Sequence, residues 1–350
     1  MTVRRPNYRI SRLVEAGPVA FIVGVRNLDE EDANRSITDL RVGSMSVVGL
    51  SLARAQQPGA SQPGTQWSEA QLRQAVDLAR VGRKLTPKSW PNGSRVAVCL
   101  SFDADSEAPL LRDGTTSPTA LSAADFGAQS GVPRILAMLD RHQIPATFFV
   151  TAVDAMLHPD MIAAIQKSGR HEIGVHGWIH ETPTRLSAGD EERLLDQAVE
   201  YLTKVAGKRP LGYRAPSWAF STTTLDLIQK KGFLYDSSLQ ALDEPYEIES
   251  RGKLSGIVEL PIDWTLTETP FLGQNGRMPN PAFLYQLYKD EFDGAYQERT
   301  MFVLTLHPYL SGHRAPMQHL EQFVTYIKSK PGVWFATAAD IARHVKGSNP

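Results

Sequence analysis

Two short stretches of the chain hold residues that could carry hydrolytic chemistry. In the first, His171-Glu-Ile-Gly-Val-His176-Gly-Trp-Ile-His180, three of the nine histidines fall within ten residues. Ile173 and Val175 alternate with Glu172 and Gly174, the pattern of a short strand, and Gly177 breaks it. His176 and His180 therefore stand four apart at a strand exit. Two neutral imidazoles at that spacing can share one divalent cation if a third ligand, usually a carboxylate, completes the set. A bare pair of this kind is as well explained by two ordinary loop histidines. The second stretch, Ser101-Phe-Asp103-Ala-Asp105-Ser-Glu107, supplies what the first lacks. Asp103 and Asp105 share a face of an extended chain. One carboxylate can complete a His-His-Asp site and the other can act as general base on a water, although either, taken alone, could be a simple cap.

Other strand ends carry further polar groups. Arg214, in Tyr213-Arg-Ala-Pro216, can pair with the base carboxylate and hold it ionised from about 4–6 Å. Asp263-Trp264 closes the run Glu259 to Ile262, and His307 closes Val303 to Leu306. A histidine steadied by an aspartate could protonate a leaving amine.

These groups need a scaffold that brings strand ends together. Val96 to Phe102 is a near-continuous apolar run, as expected of a strand buried on both faces. Further strands are expected at 146–150, 171–175, 211–214, 257–262, 302–306 and 333–336. Helices are expected at 67–83, 133–142, 159–168, 187–206, 222–231, 283–296 and 318–330, with Ser187 and Asp190 as a capping pair and Gly207 as a stop. Strand-then-helix alternation implies an α/β fold on a parallel sheet, open or closed into a barrel.

Composition narrows the class. With 350 residues, 42% hydrophobic, and a formal net charge of -1, the chain has no electrostatic case for nucleic acid. No run approaches the ~18 apolar residues of a membrane span. The single cysteine, Cys99, excludes an intramolecular disulfide and a cysteine-based zinc cluster, and its apolar surroundings mark it as a small core residue. Residues 1–65 read as an N-terminal extension. Within it, Met45 to Leu52 followed by Ala53-Arg-Ala55 resembles a secretory signal core and cleavage site, far from Met1 and with little positive charge before it. Export and a cytoplasmic location both stay open, as does a homo-oligomer.

The order of these motifs resembles the polysaccharide deacetylases, the NodB-homology or carbohydrate esterase family four. The correspondence runs through Phe102-Asp-Ala-Asp105, His176 to His180, Arg214-Ala-Pro216, Asp263-Trp264 and Leu304-Thr-Leu-His307, and spans about residues 95–345. Phrases such as HEIGVHGWIHETP, GYRAPSWAFS and YDSSL are similar to the peptidoglycan-deacetylase and allantoinase-like branch. The resemblance implies a distorted (β/α)7 barrel over 66–350. It implies a divalent ion, zinc or similar, on Asp105, His176 and His180. It makes Asp103 the base steadied by Arg214, and His307 the general acid tuned by Asp263. Trp264 would line the acyl pocket, with Pro216 and Trp218 beside the substrate. The usual adjacent Asp-Asp is here Asp-Ala-Asp, and Glu107 stands close by as an alternative carboxylate. Metal-independent allantoinases of the branch have lost the aspartate ligand that this chain keeps. Three readings follow: an N-deacetylase of N-acetylated sugars such as peptidoglycan or chitin fragments, a hydrolase of small cyclic amides such as imides or ureides, and a non-catalytic carbohydrate-binding relative. The loops 109–131 and 265–281 are expected to wall the site.

Overall fold

The computed structural model describes residues 62–272 and 280–348, so the leader-like stretch 45–55 and part of the 265–281 loop lie outside the described residues. Ten strands form one sheet: β1 Arg80–Lys84, β2 Val96–Ala104, β3 Thr147–Val150, β4 Glu172–Val175, β5 Gly212–Tyr213, β6 Tyr235–Asp236, β7 Tyr246–Ser250, β8 Lys253–Glu259, β9 Met301–Leu306 and β10 Val333–Phe335. Parallel pairings run β9-β2-β3-β4-β5-β6-β8. A single parallel bridge, Thr267 to Thr305, links the segment after β8 back to β9. These seven parallel strands make the distorted barrel expected from the sequence. β10 lies parallel to the first half of β2, and β1 and β7 extend β8 antiparallel on the outside.

Alternation along β2 explains how the barrel is filled and where its chemistry starts. Val96, Val98, Leu100 and Phe102 belong to the larger apolar cluster, which includes the residues of the helices Val132–His142, Ala188–Ala206 and Arg314–Lys328. Ala97 and Cys99 belong to a second cluster with Phe149, Tyr235 and Val258. Ser101 and Asp103 continue that second row, so the period of two carries the base candidate onto the same face. Cys99 is fully buried, as its apolar setting suggests, and burial above all pushes its thiol up to about 12.

The structure departs from the sequence expectation in the N-terminal helix and at β6. The helix expected over 67–83 spans only Glu69–Val76. Asp77 caps it, and Arg80–Lys84 then pairs with β7. At Gly82 in that strand, a Cβ would press on Leu254, Glu249 and the Glu247 backbone, so strand pairing there depends on the absent side chain. β6 is only two residues long and was not anticipated. β7 turns into β8 through Arg251 and Gly252, both at positive φ, the conformation of a tight hairpin turn. No helix among the described residues is long and apolar enough to cross a membrane.

Gly212 in β5 leaves room for the Tyr235 ring, which would overlap a Cβ built there, and the Tyr235 hydroxyl donates to the buried Glu172 at 3.0 Å. Gly212→Ala should therefore destabilise the fold by about 1–3 kcal/mol through overpacking, read as a lower denaturant midpoint. An unchanged midpoint would show that the ring yields freely.

Candidate active site

Every candidate side chain enters from the C-terminal end of a strand, where barrels of this kind place their chemistry. Asp103 and Asp105 end β2, His176 follows β4, Arg214 follows β5, and His307 follows β9. Asp103 is 1% exposed and Arg214 is 0% exposed. Arg214 Nη1 donates to Asp103 Oδ1 at 2.6 Å and to Ser101 Oγ at 3.0 Å. Its other nitrogens donate to the Ser237 carbonyl and hydroxyl at 2.9 and 2.8 Å. Burial disfavours the charge on Asp103, yet Arg214, with His176 and His307, brings its pKa below the ordinary value.

Asp105, His176 and His180 are all buried, with ligand atoms within 4.8 Å of one another. His180 Nε2 lies 3.3 Å from Asp105 Oδ2. His176 Nδ1 stands 2.9 Å from the Arg214 carbonyl, which can only accept, so the proton sits on Nδ1 and the Nε2 lone pair faces the cluster. Burial lowers the pKa of both histidines, and of His180 well below the ordinary value, so each offers a neutral imidazole. Burial, reinforced by Asp103 and Asp154, raises the Asp105 carboxyl well above its usual range.

The turn between the two histidines is held by Glu181, whose carboxylate accepts from the Trp178 N–H at 2.9 Å and the Ile179 N–H at 2.9 Å. Gly177 sits at φ +77, and a Cβ there would meet Glu181 Oε1 and Pro216 Cγ at 2.8 Å each. His180 itself takes a positive φ of 56, and Arg112 donates to its carbonyl at 2.6 Å while approaching its Nδ1 at 3.2 Å. Arg112 comes from the 109–131 segment, which does border the site.

His307 places Nε2 3.9 Å from Asp103 Oδ2. Among the described residues no hydrogen bond or ion pair joins it to its expected partner Asp263. Asp263 instead accepts from Thr265 N–H and Oγ at 2.6 and 2.8 Å, capping its own turn, and lines a cavity of about 140 Å³ with Asp243 and Glu291. The carboxylate on His307 is Glu268, which is 1% exposed. Glu268 Oε2 lies 3.2 Å from His307 Nδ1, and Oε1 accepts from the His307 N–H at 2.6 Å and from Ser311 Oγ at 2.7 Å. Burial opposes the imidazolium, but Glu268, with Asp105 and Asp103, pushes His307 up to about 9. No spacing rule marks Glu268; it stands five residues past Asp263, in a segment that reads as loop. The alternative carboxylate, Glu107, is turned to His158 at 2.8 Å, and His313, the next histidine after His307, stacks on Phe126 at 4.0 Å. Trp264 is 49% exposed and stands 4.1 Å from Trp218, ring centre to ring centre. Pro216 is buried under the Gly177 turn.

The correction is testable by NMR titration of His307 in metal-free protein. Glu268 raises that pKa, so Glu268→Gln should lower it clearly from about 9, whereas Asp263→Asn should leave it nearly where it was. The reverse pattern would restore Asp263.

Known proteins match this chain in sequence and in fold. A polysaccharide deacetylase family model matches residues 112–235. The peptidoglycan deacetylase of Helicobacter pylori is 30% identical over 287 residues, covering 73% of this chain and 98% of that one. A peptidoglycan deacetylase-like protein of Gibberella zeae is 30% identical over 71% of this chain and 86% of its own. Among solved structures, one of the polysaccharide deacetylase type from Mycobacterium smegmatis is 35% identical, covers 77% of this chain and 96% of that one, and has a TM-score of 0.70. The allantoinase Puue is 28% identical over 75% of this chain and 94% of that one, with a TM-score of 0.67. The chain belongs to the polysaccharide deacetylase family, hydrolases that act on amide bonds.

Proposed function

We propose that the chain is a divalent-metal-dependent amide hydrolase that removes acetyl groups from N-acetylated sugars such as peptidoglycan or chitin fragments. The observation that carries this reading is one apposition. A carboxylate fixed by a cation, Asp103 on Arg214, faces an imidazole fixed by an anion, His307 on Glu268, beside a His-His-Asp set.

Asp105, His176 and His180 would hold the ion, and their nitrogen and oxygen donors suit zinc. The fit is supported by Asp105 Oδ1, a buried oxygen with no hydrogen-bond partner, and by a carboxyl whose charge is disfavoured until a cation joins it. A divalent ion there supplies Lewis acidity toward the amide carbonyl and lowers the pKa of water. Asp103 keeps Oδ1 on Arg214 and has Oδ2 free to take the proton of the attacking water. The water oxygen bonds to the carbonyl carbon, and the carbon–nitrogen bond then breaks. The departing nitrogen cannot leave as an anion. His307 Nε2, cationic because Glu268 holds Nδ1, gives it a proton, and an amine and acetate result. Trp264 and Trp218 offer aromatic faces at the rim for a sugar ring.

The likeness to Puue allantoinase favours a second reading, a small cyclic amide on the same residues. Metal-loaded protein assayed for acetate release from chitooligosaccharides, beside ring opening of cyclic imides and ureides, separates the two.

His176→Ala should abolish both metal content and turnover. Asp103→Asn should retain the metal and lose about 10²–10⁴ in kcat. Full activity after chelation, or near-normal rates in Asp103→Asn, would overturn the mechanism.

A further inference from the structure

Glu107 lies two residues from Asp105 but takes no part in the pair of charges above. It meets two side chains from separate segments: Asp125, on the helix Pro118–Phe126, and His158, at the junction of the helices Ala152–Leu157 and Pro159–Gln166. The ligand atoms of Glu107, Asp125 and His158 lie within 4.8 Å of one another. We propose that these three residues form a second divalent-cation site, for zinc by its donor set, distinct from Asp105, His176 and His180.

The spacing supports it. Donors of a tetrahedral zinc site, with bonds of about 2.0–2.1 Å, stand about 3.3 Å apart. His158 Nε2 lies 2.8 Å from Glu107 Oε2 and 3.8 Å from Asp125 Oδ1, so both distances are about half an ångström from that value, on opposite sides. The Glu107 and His158 side chains are each 12% exposed, which shelters a bound ion from water without sealing it off.

A protonated His158 paired with Glu107 is the simpler account of those two residues, since Nε2 reaches both carboxylate oxygens at 2.8 and 3.0 Å. It leaves Asp125 Oδ1 with only a distant charge contact, 3.8 Å from His158 Nε2. Asp125 Oδ1 is buried and has no hydrogen-bond partner, a state native proteins rarely leave unanswered. A cation in place of the shared proton satisfies all three side chains. The Glu107 backbone is already fixed for this role, because Asp154 Oδ1 accepts from the Glu107 and Ala108 N–H groups at 3.0 and 3.1 Å. One imidazole and two carboxylates bind zinc less tightly than two imidazoles and a carboxylate, so this site fills second. Filling it fastens the segment that carries Asp105 to the helix Pro118–Phe126 and to the His158 junction.

Zinc titration of the metal-free full chain by calorimetry tests this. Wild type should show two binding events. Asp125→Asn and His158→Ala should each weaken the second by about tenfold or more and leave the first unchanged. His176→Ala should remove the tight event and keep the weaker one, which separates failure of this site from failure of the first. Asp125 is 39% exposed and its replacement nearly isosteric, so that variant stays informative if His158→Ala folds poorly, with circular dichroism as the check. A single event in wild type overturns the proposal. So does a second event unchanged in Asp125→Asn and His158→Ala, which would assign it to surface groups such as His142 beside Glu321.

Discussion

The buried ion pair between Arg214 and Asp103 governs this site. Two fully buried charges are tolerable only if each is paired and its remaining hydrogen-bonding capacity is met. Arg214 meets that demand with Asp103, Ser101 and both oxygens of Ser237, and its guanidinium lies 4.1 Å from the centre of the Phe149 ring. Removing one partner of such a pair costs about 3–5 kcal/mol, because the other charge is then stranded. Arg214 also acts through its backbone, since its carbonyl sets the His176 tautomer. One residue thus fixes the ionisation of the base candidate and the orientation of a ligand candidate.

A second pair, His307 with Glu268, mirrors the first with the charges reversed. The two pairs drive neighbouring groups apart in pKa: Asp103 down, His307 up to about 9. Groups held in opposite protonation states at one pH are what acid–base catalysis of amide cleavage requires. Asp105 is the exception. His307 favours the ionised form of Asp105, but burial prevails, and one of the Asp105 oxygens has no hydrogen-bond partner. A carboxyl raised by burial, with one oxygen lacking a hydrogen-bond partner, suits the proposed cation.

Much of this was legible in the chain because local rules governed it. The buried run ending in Asp103 and Asp105, the strand broken at Gly177, and Arg214 and His307 at strand ends all follow from period and position. Glu268 was not legible. It reaches His307 because the segment after β8 bends back to bridge β9 at Thr267 and Thr305, a long-range closure that no local pattern records. Asp263 was misread for the opposite reason: it has a strand-end position, but its Oδ1 caps the turn that follows it. The helix expected over 67–83 stopped early because pairing with β7 prevailed over helical spacing, a tertiary override of local preference.

The most direct test of the account is the dependence of kcat/KM on pH for the metal-loaded enzyme on an N-acetylated oligosaccharide. With Asp103 held ionised by Arg214 and His307 held cationic by Glu268, the profile should be a broad bell. Its alkaline limb should fall near pH 9, or somewhat lower once a cation offsets Asp105. A rate that keeps rising through pH 10, or an alkaline limb that is unchanged in Glu268→Gln, would contradict the assignment of His307 as the proton donor.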